Sequence, residues 1–454
     1  MNTPTFTLNG RSVALAAIDP QESLLRWLRR QALHGTKEGC GDGDCGACTV
    51  ALVETDADGR SHYRAVNSCL LPMGALAGRT LVTVEGLADG QTLHPVQQAL
   101  VDTAGSQCGY CTPGFVMSLF VGWYTRELGD HAIEGNLCRC TGYRPIRDAA
   151  QRLAQQAPPT DDRHQQLLAS APPTSASALP GWHNPLTLAE ALALKAAHPL
   201  AQWIAGATDV GVALSRGTRA AHWIALDRID ELKTLQVGAE QVRIGAGVAL
   251  ARLEHELAGV FPALDQLLPW FAARQVKNRA TLGGNLGSAS PIGDLLPWLL
   301  AHDAVIELRS AERMRRIAVA DYFLDYRKTA LAGDELIVAV EVPRHRGPQA
   351  AYKVAKRQTD DISIVCAVYT LALSQGRVSH ARLAYGGVAA IPARARATEA
   401  WLIGRALDVD TVTEACQRLA AEFHPLSDHR ASAEYRRDLI GALFRRFIDE
   451  QVQP

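Results

Sequence analysis

Apolar and polar residues alternate with a period of two at the start of the chain. Phe6 and Leu8 lead into Asn9-Gly10, and Val13 and Leu15 lead out of it, which predicts a β-hairpin. Asp19-Pro20-Gln21-Glu22 reads as a capping box with proline at the first helical position, and Leu24, Leu25 and Leu28 supply the apolar stripe of a helix. Strands are expected near Cys48–Val53 and Thr80–Val84, so residues 1–88 read as a small sheet with one helix. The period then lengthens to about 3.6. Pro95 opens a helix through Val96, Ala99 and Leu100, Pro113 another through Val116, Leu119 and Phe120, and Pro145 a third through Ile146 and Leu153. Residues 156–180, rich in Pro, Ala and Ser and without periodicity, read as a linker. Structured sequence resumes at Trp182. Trp203-Ile204-Ala205 and Trp223-Ile224-Ala225-Leu226 read as buried strands, and from about Pro343 alternating segments such as Ala381-Arg382-Leu383-Ala384-Tyr385 precede helices containing Trp401, Leu402 and Leu439.

Length and charge narrow the function classes. A chain of 454 residues is too long for one core and points to roughly two to four domains. A net charge of −1 with no dense basic stripe offers nothing to nucleic acid or an anionic membrane, and no apolar run is long enough to span a bilayer. The N-terminal segment lacks the charged-then-apolar form of a signal peptide, so a cytoplasmic location is expected. In that reducing setting ten cysteines are better read as metal ligands than as disulfides, and eight of them fall before residue 141.

Three of these thiols, Cys40, Cys45 and Cys48, form C-x4-C-x2-C, and Cys69 completes the four needed for a plant-type [2Fe–2S] cluster. Tetrahedral zinc is the rival, but zinc ribbons pair two C-x2-C knuckles and this loop has one. Gly39, Gly41, Gly43 and Gly46 are expected to take positive φ and to let backbone amides approach the sulfurs. A second set, Cys108 and Cys111 in QCGYCTPG and Cys138 and Cys140 in NLCRCTGYRPI, lies at predicted helix starts. Alone, C-x2-C is more often a redox dithiol or half a zinc site; together, the pairs set four sulfurs where N-terminal amides stabilise thiolates.

The strand–strand–helix–cluster-loop order of residues 1–88 resembles plant-type ferredoxins, a β-grasp fold. With the second set added, the chain resembles the molybdenum hydroxylases, the xanthine dehydrogenase and aldehyde oxidase family. The resemblance implies that Cys40, Cys45, Cys48 and Cys69 ligate the cluster nearer the flavin, and Cys108, Cys111, Cys138 and Cys140 the one nearer a molybdenum cofactor.

The central third has no G-x-G-x-x-G, so a Rossmann-type site is not supported. Two turns of small residues, Ala205-Gly206-Ala207-Thr208-Asp209 and Thr281-Leu282-Gly283-Gly284-Asn285, could instead bring backbone amides to a pyrophosphate, and Asp294 could bond a ribose hydroxyl. AGATD followed by ATLGGN and SASPIGD resembles the FAD domain of the same family, whose flavin lies between two subdomains. That resemblance implies pyrophosphate contacts from Ala205, Gly206, Ala207, Thr208, Asp209, Val210, Thr281, Gly283, Gly284 and Asn285. It implies ribityl or ribose contacts near Ser290 and Asp294, an adenine contact at Ile337, and Phe271, Lys353 and Asp360 beside the flavin ring. Ala207 departs from the family, which often carries Gly or Asn there. The implied fold is multidomain α+β. It comprises a β-grasp ferredoxin-like domain (1–88), a helical-bundle [2Fe–2S] domain (89–155), a linker (156–180), a two-subdomain α+β FAD-binding domain (181–344) and an α/β flavoprotein C-terminal domain (345–454).

Two one-electron clusters and a flavin make a converter between single electrons and hydride. By resemblance the chain is expected to act as the small, electron-transfer subunit of a bacterial-type, NAD-dependent xanthine dehydrogenase in purine catabolism. Electrons from hypoxanthine or xanthine oxidation at molybdopterin in a large partner subunit would pass through the clusters to FAD and NAD+, in an (αβ)2 heterotetramer. The alternatives are oxidation of an aldehyde or N-heterocycle, a self-contained NADH-linked flavin reductase, or a structural zinc module. The loop Arg357-Gln358-Thr359-Asp360-Asp361 matches one that governs NAD+ access in relatives and is expected to favour NAD+ over oxygen. Arg436 and Arg437 read as surface or interface charges rather than catalytic groups, Cys366 and Cys416 as buried apolar thiols, and His34, His94 and His183 as ordinary histidines without ligand spacing.

Overall fold

The computed structural model describes residues 4–56, 59–170, 177–357 and 359–452. Its packing separates two compact units, Met1–Asp230 with Ala272–Ala280, and Glu231–Phe271 with Thr281–Pro454. Residues 181–344, expected as one domain, are therefore shared between the units.

The first unit begins with β1 (Thr5–Leu8) and β2 (Arg11–Ala14), joined by Asn9 and Gly10, both at positive φ as a two-residue hairpin turn requires. With β3 (Thr49–Thr55), β4 (Ser61–Asn67) and β5 (Thr80–Val82) they make one sheet, ordered β2-β1-β5-β3-β4. The helix spans Leu24–Arg30 and starts later than predicted. Ser23 caps it by accepting from the Arg26 amide, while Asp19 accepts from the Gln21 amide in a preceding turn, and Glu22 pairs with Arg30 rather than closing a capping box. Leu24, Trp27 and Leu28 pack under the sheet with Phe6, Val50 and Leu81.

Helices at Pro95–Asp102, Thr112–Thr125 and Arg144–Ala154 follow, each with proline in its first two positions as predicted. The segment 156–180 is not structureless. Asp162 caps a helix, Arg163–Ala169, and β6 (Ser177–Leu179) begins a second sheet; residues 171–176 lie outside the described residues. That sheet adds β7 (Trp182–Asn184), β8 (Gln202–Ile204) and β9 (Trp223–Ala225) in the order β6-β7-β9-β8, and Trp182, Ile204 and Trp223 share the core of the first sheet.

The second unit has a five-stranded antiparallel sheet, β10 (Leu235–Val237), β11 (Gln241–Gly245), β12 (Val305–Arg309), β13 (Met314–Ala318) and β16 (Leu336–Pro343), ordered β10-β11-β16-β12-β13. A short ribbon, β14 (Phe323–Asp325) with β15 (Lys328–Thr329), lies between β13 and β16 in the chain. The last sheet, β17 (Gln349–Val354), β18 (Val365–Ser374), β19 (Arg377–Gly386) and β20 (Ala393–Arg394), carries helices Arg396–Leu402, Val409–Glu422 and Ala433–Phe447 around Tyr369, Tyr385 and Phe444. Arg436 is not a surface charge. It is buried, bonds both Asp428 oxygens at 2.8 Å and donates to the Ile364 and Gly387 carbonyls, so it ties a helix to two strand ends; Arg437 is exposed as expected. Cys366 is fully buried, whereas Cys416 is half-buried and donates to the Gly441 carbonyl. Among the described residues no helix is long and apolar enough to cross a membrane.

Candidate functional site

Cys48 enters β3 and Cys69 follows β4. Because these strands pair antiparallel with Thr49 opposite Asn67, the two cysteines meet at one end of the sheet, Sγ to Sγ 3.3 Å, both buried. Cys40 and Cys45 face each other across the loop, each amide donating to the other's sulfur at 3.3 Å. In both pairs one thiol donates to the other. Cys45 falls to about 6 because Cys40 donates to it, and Cys40 rises for the same reason; Cys48 is lowered by Cys69, which rises. The pairs also sense each other, since charge on Cys45 raises Cys48 and charge on Cys40 raises Cys69. Two thiol pairs held this close suit thiolate ligation of a metal.

Small residues make the cradle. Gly41, Gly43 and Gly46 take positive φ as expected, but Gly39 does not. Its role is spatial, because a Cβ there would come within 2.6 Å of Cys45 Sγ. A Cβ at Gly46 would overlap the Gly135 carbonyl oxygen. That close approach seats the second cysteine segment on the first loop: the Leu137 amide donates to the Cys45 carbonyl at 3.0 Å, and Asn136 Nδ2 to the Gly46 carbonyl at 3.0 Å.

The second set assembles at two helix starts. Cys111 caps Thr112–Thr125, and Cys138 and Cys140 precede Arg144–Ala154, whose cap residue Tyr143 has φ 68°. Tyr143 Oη accepts from the Cys138 amide at 2.9 Å, and Thr141 Oγ1 lies 3.2 Å from Cys138 Sγ. Cys108 is lowered first by the Tyr110 amide and then by Cys140, which rises through that bond. Burial, then donation to Cys138, pushes Cys111 up to about 12. For Cys138 burial is outweighed by bonds from Thr141 and Cys140, which lower it. Charge on Cys138 raises both Cys108 and Cys140, so the two pairs lie near each other.

Beside the cysteines sits a buried polar cluster that sequence reading missed. Gln275 Nε2 lies 3.1 Å from Thr49 Oγ1, 3.2 Å from Ser118 Oγ and 3.2 Å from Asn136 Oδ1, and Ser118 donates to Asn136 at 2.6 Å. The neighbouring residues of the same short segment bind as well. Asn278 donates to the Ala65 carbonyl, Lys277 pairs with Glu134, and Arg279 pairs with Glu54 and Asp227. A glutamine in ARQVKN carries no periodic signal, because its partners are distant in sequence.

The residues expected around FAD fall in both units. In the first, the turn Ala205–Val210 leads from β8 into the helix Val210–Ser215. A Cβ at Gly206 would overlap the Arg279 carbonyl oxygen, and Ala207 is held at φ 65°, a conformation that favours Gly or Asn over a residue with an ordinary Cβ. In the second unit, Thr281 caps the helix Leu282–Ser288. The turn's amides bond within the chain: Gly283 donates to Ala246, Gly284 to Thr281 Oγ1 and Asn285 to the Thr281 carbonyl. The Asn285 carboxamide remains. Its Oδ1 is buried without a partner among the described residues, the mark of a polar group awaiting a ligand.

Asp294 is likewise committed. Its carboxylate takes Lys353 Nζ at 2.8 Å and Ser363 Oγ at 2.5 Å, so in this arrangement it anchors Lys353 rather than presenting a free acceptor to a ribose. Lys353 in turn donates to the Trp270 carbonyl at 3.0 Å and lies 5.9 Å from the Phe271 ring centre, fixing the aromatic expected beside the flavin. Ser290 turns the chain by accepting from the Gly293 amide through its carbonyl, and Ile337 is buried in β16 opposite Leu308. In the loop Arg357 to Asp361, Asp360 has φ 50°, Arg357 donates to its carbonyl, and Asp361 accepts from the Arg357 and Ile362 amides; Gln358 lies outside the described residues.

Four family models match in sequence order: a 2Fe-2S iron-sulfur cluster binding domain at 6–74, a [2Fe-2S] binding domain at 83–151, the FAD binding domain in molybdopterin dehydrogenase at 175–345, and the CO dehydrogenase flavoprotein C-terminal domain at 350–451. The chain belongs with the iron–sulfur and FAD domains of the molybdenum hydroxylases. This molybdenum-hydroxylase module is 32% identical to the xanthine dehydrogenase of Blastobotrys adeninivorans, over 100% of the chain and 41% of that protein. It is also 32% identical to the xanthine dehydrogenase/oxidase of Mus musculus, over 97% of the chain and 38% of that protein. The module thus spans about two fifths of the length of these relatives. Among solved structures it resembles a chain of quinoline 2-oxidoreductase from Pseudomonas putida 86 (TM-score 0.57, 26% identity, 62% of this chain and 99% of that one). It also resembles a chain of the carbon monoxide dehydrogenase from Hydrogenophaga pseudoflava (TM-score 0.56, 27% identity, 59% and 95%).

Proposed function

We propose that this module is the electron-transfer part of a xanthine dehydrogenase, taking electrons from purine oxidation at a molybdopterin-bearing partner and delivering them to NAD+. The observation that supports the reading is the gathering of the cysteines within one unit as two groups of thiol pairs, Cys40 with Cys45 and Cys48 with Cys69 in one, Cys108 with Cys140 and Cys111 with Cys138 in the other. When bound, [2Fe–2S] clusters supply one-electron transfer and FAD supplies exchange between single electrons and hydride. The chain's residues hold and orient. Each quartet gives four thiolates, and the Leu137 amide and Asn136 side chain tie the second cysteine segment to the first loop. For the flavin, Lys353, locked by Asp294, holds the Trp270 carbonyl and the Phe271 ring, and Asn285 offers its carboxamide. The Ala205–Val210 turn, Ser290, Ile337 and Asp360 are proposed as further contacts on family resemblance, as are xanthine as substrate, NAD+ as acceptor and the (αβ)2 assembly.

The test is anaerobic reduction of the purified module by NADH, followed by absorbance and low-temperature EPR. Bleaching of a flavin band with two distinct [2Fe–2S] signals is expected. Copurification of a molybdopterin-bearing chain, and NAD+-dependent turnover of xanthine in preference to aldehydes or N-heterocycles, tests the substrate. Full NADH-driven reductase activity without any such partner would favour the self-contained flavin reductase.

A further inference from the structure

His183 reads in the sequence as an ordinary histidine, and in the structure it is not alone. His183 on β7, His198 at the C-terminal cap of the helix Leu188–Ala197, and His222 at the entry to β9 converge within the first unit, with one ring nitrogen from each inside 4.8 Å of the others. His183 Nε2 and His222 Nδ1 are 3.1 Å apart, close to the ~3.3 Å that separates two ligand nitrogens on a tetrahedral zinc. The strand pairing explains the meeting. Trp182 points into the core opposite Trp223, so His183 is turned to the other face of the sheet, where the residue preceding Trp223 reaches it. The Trp223 amide donates to Gly181, the Gln202 amide to the His222 carbonyl, and the Ala201 amide to the His198 carbonyl, so the backbone under each ring is fixed.

The three rings lie 22–24° from parallel, with the His198 and His222 centres 4.0 Å apart. Ring stacking and one shared hydrogen bond satisfy His183 and His222 to each other. Among the described residues no hydrogen bond reaches the His198 nitrogens, and all three residues are half-buried; a single ion would take all three nitrogens by turning the rings out of their stacked arrangement. Lys195, the cation on the adjoining helix, spends its ammonium on the Pro199 and Ala201 carbonyls. A second group, Asp303 with His345 and His380, is a poorer candidate because Arg382 and Arg394 both bond Asp303 at 2.8 Å and set two positive charges on the site.

We infer that His183, His198 and His222 form a site for a borderline divalent transition-metal ion of the zinc class, with three neutral imidazoles as ligands and the fourth position open to water. Three nitrogen ligands without a thiolate suit zinc, nickel or copper rather than calcium or magnesium, and partial exposure matches an open rather than a closed structural site. The site is independent of the cysteine quartets and of the proposed electron-transfer role.

The experiment is zinc chloride titration of the full chain, with zinc, iron and sulfide counted after gel filtration, for wild type, His198→Ala, His222→Ala and Asp303→Asn. About one zinc per chain is expected in wild type and Asp303→Asn beyond that in the histidine variants, with at least roughly tenfold weaker binding when one of three ligands is lost. Iron and sulfide should be equal in all four, showing that the variants fold, and X-ray absorption of the zinc-loaded wild type should show imidazole scattering. Zinc uptake unchanged in His198→Ala and His222→Ala, uptake lost only in Asp303→Asn, or no uptake by wild type would each overturn the assignment.

Discussion

Single residues decide the site by what they exclude as much as by what they bind. Cys138→Ser or Cys140→Ser should abolish one EPR signal and leave the plant-type signal, because each quartet closes on its own set; loss of both signals in a folded chain would contradict that division. Lys353 and Asp294 form an ion pair with side chains only 4% and 6% exposed. Asp294→Ala leaves a buried ammonium uncompensated and should cost about 3–5 kcal/mol by denaturant unfolding, with FAD lost and iron retained, while Asp294→Leu with Lys353→Met should recover much of the stability. Ala207 runs the other way. At φ 65° its Cβ is strained, and Ala207→Gly should raise stability by about 1 kcal/mol, measured in the same way. The cysteines were legible because ligand spacing is local. The ion pair of Asp294 was not legible, since its partners Lys353 and Ser363 are far along the chain, and Arg436 was misread because nothing in SAEYRRDLI announces the Asp428 carboxylate or the two carbonyls that make its burial tolerable.

At the scale of elements, turns and helix starts set by proline, asparagine and glycine were readable, as the Asn9-Gly10 hairpin and the helices opened by Pro95, Pro113 and Pro145 show. Where two starts compete, local sequence is ambiguous. Both Asp19 and Ser23 can cap, and the chain uses Ser23 because the Leu24 and Leu25 amides bond Leu71 and Ser68. The helix Pro95–Asp102 carries a pH dependence. His94 Nδ1 accepts from the Val96 amide while Nε2 faces Tyr124, whose hydroxyl donates to Asp162, so the neutral ring is the one that fits. Burial lowers His94 and the adjacent His164 each to about 4 from 6.5. The unfolded chain therefore binds more protons between those values, and stability should be full above pH 6.5 and fall progressively toward pH 4. Thermal unfolding across that range should show the loss, and His94→Gln should flatten it. The segment Ala272–Ala280 makes a second element-scale prediction. Gln275→Leu removes the donor shared by Thr49, Ser118 and Asn136 and should shift the EPR line shape or potential of a cluster at unchanged iron content; identical spectra and potentials would show that the network is only structural.

Over the whole molecule, packing cuts across family boundaries. The FAD-domain match covers 175–345, yet residues up to Asp230 and the segment Ala272–Ala280 pack with the cysteine domains, the latter through Gln275, Lys277, Asn278 and Arg279. Sequence order could not reveal this, because the partners of those four side chains lie more than fifty residues away. Around the loop Arg357 to Asp361 the described residues hold no cysteine pair: Cys366 is fully buried and its sulfur faces the Asp294 carbonyl. The proposed preference for NAD+ over oxygen should therefore be unchanged by mild thiol oxidation and by dithiothreitol, and a reversible switch between acceptors would contradict the reading of that loop. The most direct test of the central claim is iron and acid-labile sulfide analysis of the purified chain together with EPR of the dithionite-reduced protein. Two cysteine quartets predict about four iron and four sulfide per chain and two separable [2Fe–2S] signals, whereas zinc in place of iron, or a single signal with half that iron, would contradict it.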